Sequence, residues 1–408
     1  MNILERFRNE GIQDEDIIRS FQHSSGGYSK NKDRSYSFNL PSNQTLLAVL
    51  RFNEKGKLHK IDLGNNLLSK KAQIEFVQTA KENIFGNHGY SIHHRVLFSH
   101  KPLRGLFLWK DKFRIRPCLN LSQVGKGLAW GIEHSNEIEQ RYLGPPYPFI
   151  IEVKTRKSPN NIIQTDRLLA ELDCYQWLLG LLVSGLLEAP PVTHNTPKWV
   201  LLMKPTGLEY HLAYEGFNAH ESDIENGENF SALNIPDIPR HYQEVDYYNH
   251  LWVKDEEVLL PANIEISFEL FDKMETKRRN DFTRALYWYN VGKRLYNQEE
   301  LSIVPFATAI ECLLPVATSQ PCSLCGKQPG DGPTKLFNEF LKNHLDLPDN
   351  IDHLKKSIYP KRSTIVHGTK ALQPDNSFFS IFNDSTSELA TESFVRRALI
   401  KWLHDEGI

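Results

Sequence analysis

The segment Tyr359–Gly368, with the sequence YPKRSTIVHG, holds an arginine and a histidine separated by four residues. Arginine keeps its charge at physiological pH and binds two phosphate oxygens through its planar guanidinium group, whereas histidine titrates near neutrality and can move a proton. Arg362 and His367 are therefore the residue types that cleavage of an RNA phosphodiester without a metal requires.

The spacing of this pair carries almost no information by itself. With 20 Arg and 16 His in 408 residues, chance gives about 0.8 Arg–His pairs per spacing, or roughly 2.4 over four to six intervening residues. The chain holds three such pairs: Arg95/His100, Arg362/His367 and Arg397/His404. The elements around each pair must therefore decide whether it is a site.

Helical periodicity dominates the chain from about residue 264. The pattern of apolar residues predicts helices over 278–297, 299–314, 334–344, 351–366 and 385–404. Arg362 and His367 thus fall at the end of a late helix, whereas Arg95 lies in a strand-like segment. The second part of the chain, 259–408, is predicted to be an all-α helical bundle.

Residues 1–258 are predicted to form an α+β region that is rich in strands. Two hairpins are expected, 46–52 with 58–63 and 105–109 with 113–116, and a helix over 71–84. A strand–helix unit follows at 148–156 and 162–187, and a strand is expected at 199–203. The region can be subdivided near residue 145. Residues 215–257 carry eleven acidic side chains and are interpreted as a solvated connector.

Three segments together resemble the HEPN superfamily, in particular its ApeA-like branch. They are the helix end Lys293–Tyr296 (KRLY), the segment Ala309–Leu314 (AIECLL) and Tyr359–Gly368. The resemblance covers roughly residues 264–408. It implies a helical bundle that pairs two-fold and, in many members, a metal-independent endoribonuclease, with a role in anti-phage defence or as a toxin.

The resemblance implies that Arg362 is a phosphate clamp and His367 a general base or acid. Ser363 and Lys361 would support them, and Glu311 matches an acidic position of the family. In a regular helix, residues five apart differ by about 140° in direction and about 7.5 Å in rise. Either a kink at Pro360 or a second copy of the chain must therefore bring the pair together, which predicts a homodimer acting on RNA.

Three interpretations compete with this one at the same residues. His367 followed by Gly368 is also an ordinary helix C-cap, which needs no function. Glu311 can equally serve to pair with an arginine of the bundle. Finally, a bundle of this kind can bind RNA or a nucleotide, or act as a scaffold, without any catalysis.

A second enzyme hypothesis rests on Glu152 and Lys154 in the segment 149–154, FIIEVK. A strand that presents a carboxylate and a lysine on one face resembles the magnesium site of PD-(D/E)XK nucleases. Any strand of an open sheet alternates polar residues in this way, however, and no Pro-Asp precedes this one. An ordinary strand is the favoured interpretation.

Cys322 and Cys325 form a knuckle of the kind that holds structural zinc. One pair is half a site, so Cys312, His344, His353 or a partner chain would have to complete it; otherwise the cysteines are a reduced pair in a loop. No cofactor is expected to be needed for catalysis.

Arg294, Lys293 and Tyr289 are candidate RNA contacts, because aromatic rings stack on bases and cations bind phosphates. Tyr289 and its aromatic neighbours are as readily explained by the core or a dimer interface.

The net charge of −2 argues against coating of nucleic acid by bulk electrostatics, so any contact must be local. No signal peptide, no membrane span and a cytoplasmic location are expected. The N-terminal region is expected to recognise a trigger or regulator.

Overall fold

The computed structural model describes the following parts of the chain: residues 2–25, 27–41, 45–54, 57–99, 101–118, 121–124, 147–183, 187–188, 197–204, 207–214, 216–219, 227–241, 256–295, 299–315, 332–345, 352–367 and 385–406. Contacts divide the chain into two compact units. The first contains Met1–His93, Val153–Leu172 and Glu225–Ser231, and the second His94–Glu152, Asp173–Ile224 and Ala232–Ile408.

The first unit begins with two helices, α1 (Ile3–Asn9) and α2 (Asp14–Ser24). The side chain of Asn2 accepts a hydrogen bond from the backbone N–H of Glu5, and the Glu5 carboxylate accepts one from the backbone N–H of Asn2; this capping box starts α1. Three acidic residues open α2, where the helix dipole favours negative charge.

An antiparallel sheet of four strands follows, in the order β1-β2-β3-β4. Its strands are β1 (Gly27–Lys30), β2 (Ser35–Asn39), β3 (Leu46–Phe52) and β4 (Leu58–Leu63). The hairpin expected at 46–52 and 58–63 is therefore confirmed. Helix α3 (Lys70–Phe85), capped by Ser69, confirms the helix expected at 71–84.

The core of the first unit joins these helices to one face of the sheet. Phe7 and Phe21 from the helices and Phe38 from β2 are fully buried, together with Leu50 from β3. Burial of such large rings supplies most of the stabilising free energy of a unit this size.

The remaining strands are β5 (Tyr90–Ser99), β6 (Phe107–Trp109), β7 (Phe113–Pro117), β8 (Leu121–Val124), β9 (Tyr147–Arg156), β10 (Leu187–Glu188), β11 (Pro197–Lys204), β12 (Gly207–Tyr214), β13 (Gly216–Ala219), β14 (Arg240–His241) and β15 (Leu260–Pro261). A five-stranded sheet has the order β10-β5-β9-β7-β6. The hairpin of β6 and β7 and the strand over β9 were predicted from the sequence, as was a strand at β11.

Helix α4 (Asn161–Leu182) completes the predicted strand–helix unit, but it ends five residues before the predicted end at residue 187. Leu187 and Glu188 pair antiparallel with β5 instead. The carbonyls of Gly180, Leu181 and Leu182 receive hydrogen bonds from the side chains of Lys293 and Arg396. Cationic donors at a helix C-terminus satisfy the last carbonyls and match the dipole.

The C-terminal part of the chain is mostly helical, as predicted. Its helices are α5 (Ile264–Lys273), α6 (Thr276–Arg294), α7 (Glu299–Glu311), α8 (Pro333–His344), α9 (Asp352–Val366) and α10 (Ser385–Glu406). The chain is therefore mixed α+β, with a strand-rich N-terminal region and a mostly helical C-terminal part. The predicted domain boundary at 258/259 stays a prediction.

Packing of the second unit depends on aromatic stacking and on close approach of helices. The fully buried rings of Phe113, Tyr175 and Phe268 stack with centroids 4.9 to 5.8 Å apart. Gly292 of α6 faces the ring of Phe306 on α7 so closely that an added Cβ would lie 2.6 Å from it. No helix in the described part of the chain is both long enough and apolar enough to span a membrane.

Candidate functional site

Helix α9 carries the candidate pair, and its last turn is regular. It runs through Pro360 without ending, and the backbone N–H of His367 donates to the carbonyl of Ser363 at 3.0 Å. This is the i to i−4 bond of an α-helix, so Arg362 and His367 keep the directional difference of about 140° expected for residues five apart. The last turn does not rotate them onto one face.

Arg362 is held in place by Glu311 of α7. Its Nη2 lies 2.9 Å from the Glu311 Oε2, and the two side chains are only 20% and 23% exposed. The guanidinium carbon also lies 5.7 Å from the ring centre of Tyr359, one turn earlier on α9. The guanidinium group is thus positioned by a carboxylate and an aromatic face.

Tyr359 joins the same cluster through its hydroxyl. The ring is largely buried, and burial together with the neighbouring Glu311 carboxylate raises the pKa of Tyr359, whose side chain is hydrogen-bonded to Glu311. The phenol therefore stays neutral and donates. One carboxylate accordingly orients both an arginine and a tyrosine.

The Arg362 guanidinium keeps hydrogen-bonding capacity. It carries five N–H donors, and its buried Nε has no hydrogen-bond partner among the described residues. His367, at the end of α9, is exposed, while Lys361 and Ser363 are half-buried. A ligand can therefore reach the 20% of the Arg362 side chain that is exposed, but not its buried Nε, and it can reach His367 on a different side of the helix end.

Glu311 also lines a cleft of about 880 Å³ in the helical part of the second unit. Three cations line it, Lys277, Arg278 and Arg284, but so do five carboxylates: Glu275, Asp281, Glu311, Glu339 and Glu406. Arg278 donates to the backbone carbonyl of Glu406 at 2.6 Å, and Arg284 pairs with Asp281. The cleft therefore has no positive excess with which to attract phosphates.

Two predicted zinc ligands line the same cleft. Nδ1 of the buried His344 lies 3.6 Å from the Asp405 carboxylate. Burial raises the pKa of the Cys312 thiol, so the thiolate that binds zinc is disfavoured there. No group of three or more His, Cys, Asp or Glu that could hold a metal occurs within the described ranges. Cys322 and Cys325 lie outside them, as does the side chain of His353.

The candidate RNA contacts on α6 separate into different roles. Tyr289 is fully buried, and its hydroxyl donates to Glu392. Burial and this carboxylate raise the pKa of Tyr289 well above its usual value. The expectation that Tyr289 stacks on an RNA base is therefore wrong, because its ring has no exposed face.

Lys293 donates from Nζ to the Gly180 carbonyl at 2.9 Å and so caps the C-terminus of α4. Arg294, at the last position of α6, is exposed. Of these three candidates, Arg294 is the one whose side chain is open to an RNA phosphate.

Glu152 and Lys154, the residues of the alternative magnesium site, both bind other side chains of the protein. Glu152 is completely buried, and its carboxylate accepts hydrogen bonds from Nε of Arg114 at 2.6 Å and from Nη2 of Arg116 at 2.9 Å. Lys154, on the part of β9 that belongs to the first unit, donates to Asn229 at 2.7 Å. The magnesium interpretation gains no support, because both carboxylate oxygens already serve as acceptors for arginine.

In each of the other two Arg/His pairs, one residue has a structural partner. Arg95 pairs with Asp173 at 2.6 Å, and His100 lies outside the described residues. His404 shares a hydrogen bond of 2.9 Å with the Ser267 hydroxyl.

No protein-family model matches the chain, and neither a curated protein nor a solved structure matches it.

Tyr359 is the residue of the site that sequence reasoning missed. It lies three positions before Arg362 and therefore on the same side of the helix, which is a spacing that brings side chains together. That spacing was visible in the sequence. Its link to Glu311 was not, because the two residues meet only through the packing of α7 against α9.

Proposed function

We propose that this protein cleaves RNA without a metal ion, as a HEPN-type endoribonuclease, with Arg362 as the phosphate clamp and His367 as the proton-transfer group. The observation that carries the proposal is the positioned Arg362. It is oriented by Glu311 and Tyr359, is 20% exposed, and lies one and a half turns before an exposed histidine. The resemblance of Lys293–Tyr296, Ala309–Leu314 and Tyr359–Gly368 to the ApeA-like branch supports the same assignment.

The chemistry follows from the two side chains. Neutral His367 takes the proton of the 2′-hydroxyl, and the 2′-oxygen attacks the phosphorus. The bond to the 5′-oxygen breaks, and that oxygen receives the proton that His367 took from the 2′-hydroxyl. Arg362 stabilises the negative charge that develops on the non-bridging oxygens. The products are a 2′,3′-cyclic phosphate and a 5′-hydroxyl.

A second copy of the chain supplies the missing geometry in this proposal. Because about 140° separates the two side chains on one helix, the arginine of one copy would act with the histidine of the other. Two α9 ends that meet across a two-fold axis produce two such composite sites.

The test is cleavage of a long single-stranded RNA in the presence of EDTA by the full chain, with analysis of the product ends. We expect 2′,3′-cyclic phosphate ends, and a loss of rate of at least about 100-fold in Arg362→Ala and in His367→Ala. Matched controls are Arg240→Ala, which also removes an arginine paired with a glutamate, and His59→Ala, which removes an exposed histidine. Cleavage that requires magnesium and persists in both site variants would overturn the proposal.

The composite geometry has its own test. Mixed dimers of Arg362→Ala and His367→Ala retain one intact composite site, so mixing two inactive variants should restore part of the activity. Light scattering should report a dimer for each variant. If the mixture stays inactive while exchange of subunits is demonstrated, both residues act within one chain or neither acts.

A second candidate is a helical module that binds RNA, a nucleotide or a scaffold partner without catalysis. It is favoured by the Arg362–Glu311 ion pair, which compensates the arginine charge, and by the mixed charge of the cleft. It predicts binding without cleavage of any RNA. In that case Arg362→Ala and His367→Ala would leave the affinity for the bound partner unchanged.

The resemblance also supports a role in anti-phage defence or as a toxin. Expression of the chain in bacteria should then slow growth or restrict phage, and His367→Ala should abolish the effect. A matched expression level of the two forms is the control.

A further inference from the structure

An open groove lies on the sheet of the first unit, beside α2. It has a volume of about 480 Å³, and four aromatic residues line it: Tyr28, Tyr36, Phe38 and Phe52. Helix α2 contributes Ile18 and Gln22 to its lining. None of these residues belongs to the proposed catalytic pair.

The strand register puts the aromatic rings on one face of the sheet. Tyr28 pairs with Phe38 and Lys30 pairs with Tyr36 across β1 and β2, and residues two apart on a strand share a face. The ring centres of Tyr28 and Phe38 lie 5.8 Å apart, and those of Tyr36 and Phe52 lie 5.6 Å apart. Phe38 is buried beneath, whereas Tyr28 is 57% exposed. The Tyr28 ring is thus exposed, and the buried Phe38 packs beneath it.

Two cations border the rings. Lys30 and Arg34 line the groove, with Glu54 as its acidic residue. Neither cation makes an ion pair with another described residue. Arg51 on the neighbouring strand, by contrast, pairs with Asp33 and Asp62 at 2.7 Å each. The groove therefore has a local positive excess, although the whole chain carries a net charge of −2.

Arg34 has a backbone conformation that an arginine rarely adopts. Its φ of +57° is in the left-handed region, which favours glycine or asparagine. The turn around it is fixed, because Ser35 donates to Asp33 at 2.6 Å and the Arg34 carbonyl accepts from the Phe52 N–H at 3.2 Å. A long cationic side chain is kept at the groove despite the cost of this conformation, which is a pattern found at functional positions.

We propose that this groove binds a single strand of nucleic acid, with a base stacked on Tyr28 and phosphates held by Lys30 and Arg34. Every base has a face that stacks on an aromatic ring, and cations beside the ring track the backbone. The positive excess disfavours cationic ligands, which otherwise suit aromatic grooves. The exposure of Tyr28 favours a strand over a free nucleotide, because small-ligand sites enclose most of their ligand. The site is separate from Arg362 and His367, so it goes beyond the proposed cleavage.

The test is fluorescence anisotropy with the full chain and a fluorescein-labelled 2′-O-methyl RNA decamer. This probe lacks the 2′-hydroxyl that the proposed cleavage uses, so binding is measured whether or not the protein is a nuclease. We expect Tyr28→Ala to weaken binding by at least about fivefold, the lower end for loss of one stacked base. Arg34→Gly should weaken binding and reduce the slope of log affinity against log salt by about 0.7, the effect of one phosphate contact on a single strand.

Two features of these variants separate binding from folding. Arg34→Gly installs the residue that its backbone conformation favours, so its melting temperature should not fall. Tyr90→Ala is the matched control, because Tyr90 is an exposed tyrosine of the first unit with Lys154 at 5.0 Å from its ring, outside the groove. It should bind the decamer as tightly as the unmodified chain.

Other probes decide what occupies the groove. A decamer that carries 5-iodouracil should crosslink to Tyr28 on irradiation, since this base reacts with a stacked ring. Absence of decamer binding, or binding unaffected by both Tyr28→Ala and Arg34→Gly, would overturn the proposal. Equal affinity for uridine monophosphate or for a duplex would also overturn it, because neither has the features of a stacked single strand.

Discussion

Glu152 and Glu311 both bind arginine in the second unit, and their surroundings differ. Glu152 is completely buried between Arg114 and Arg116, which are themselves at most 6% exposed. Glu311 and Arg362 are each about one-fifth exposed, and the exposed His367 follows Arg362 at the end of α9. Both glutamates belong to segments that the sequence offered as nuclease elements. Exposure is what separates them.

The physical reason lies in the hydration of charge. A buried carboxylate is tolerated only when its partners saturate it, and a saturated carboxylate has no position left for a metal ion or a substrate. A partly exposed pair is less constrained, so the arginine can exchange one partner for a phosphate oxygen. The same residue types therefore stabilise the fold at Glu152 and leave room for chemistry at Glu311.

The largest effect on stability is expected for Glu152→Gln. The substitution removes the buried negative charge that Arg114 and Arg116 both contact, which should lower the free energy of unfolding by about 3–5 kcal/mol. Urea unfolding measures this loss. Glu265→Gln is the matched control, because its pair with Arg240 is partly exposed; it should cost at most about 1 kcal/mol. Equal losses in the two variants would remove the distinction on which the comparison rests.

Arg396→Met should have the next largest effect. Arg396 is buried and donates to the carbonyls of Leu181 and Leu182, which end α4. Loss of these charge-assisted bonds should cost about 1.5–3 kcal/mol, measured by the same unfolding experiment. Cleavage of RNA per folded molecule should not change. If the variant kept full stability but lost cleavage, Arg396 would have a role in the proposed reaction instead.

Tyr289→Phe should reveal a buried proton through the pH dependence of stability. Burial, followed by the effect of Glu392, raises the pKa of Tyr289, so the folded chain keeps this proton at a pH where the unfolded chain, with a pKa near 10, releases it. The stabilisation is complete below about pH 10 and is lost above it, at up to about 1.4 kcal/mol per pH unit. Between pH 9 and pH 11, the free energy of unfolding should decrease less in Tyr289→Phe than in the unmodified chain. An identical decrease would contradict the assigned burial.

The smallest effect on stability is expected for Glu311→Gln, and it should be accompanied by a change in activity. The partly exposed pair with Arg362 should contribute no more than about 1 kcal/mol. Since Glu311 orients the guanidinium group, we expect the rate of RNA cleavage to fall by roughly tenfold, an effect of about 1.4 kcal/mol on the transition state. Tyr359→Phe, which keeps the ring and removes the hydroxyl, tests the second part of the cluster. A loss of 3 kcal/mol or more in stability, with unchanged cleavage, would make this pair structural like that of Glu152.

Much of the secondary structure could be predicted from local patterns. Strands β3 and β4 have the predicted bounds, and α3 differs from its prediction by one residue at each end, because turn residues and apolar periodicity are local signals. The two N-terminal helices were missed. They have 7 and 11 residues, which is short for a periodic pattern, although Asn2 and Glu5 have the spacing of a capping box.

The ends of elements depended on distant residues. Helix α4 ends at Leu182 where Arg396, 215 residues later, binds the Leu181 carbonyl. The turn dipeptide Ser184-Gly185 inside the apolar run Trp177–Leu187 is a local signal close to that end, but no local pattern predicts the contact with Arg396.

By itself, the sequence determined which residues can do chemistry and on which kind of element they lie. Arg362 and His367 were predicted to lie at the end of a late helix, five residues apart, and a regular helix then dictates their divergent directions. Only the tertiary structure decided which charged side chains form ion pairs that stabilise the fold. Glu152 meets its arginines 38 and 36 residues away, and Arg362 meets Glu311 across 51 residues. Burial and pairing arise from such long-range contacts, and they determine whether a carboxylate stabilises the core or orients a site.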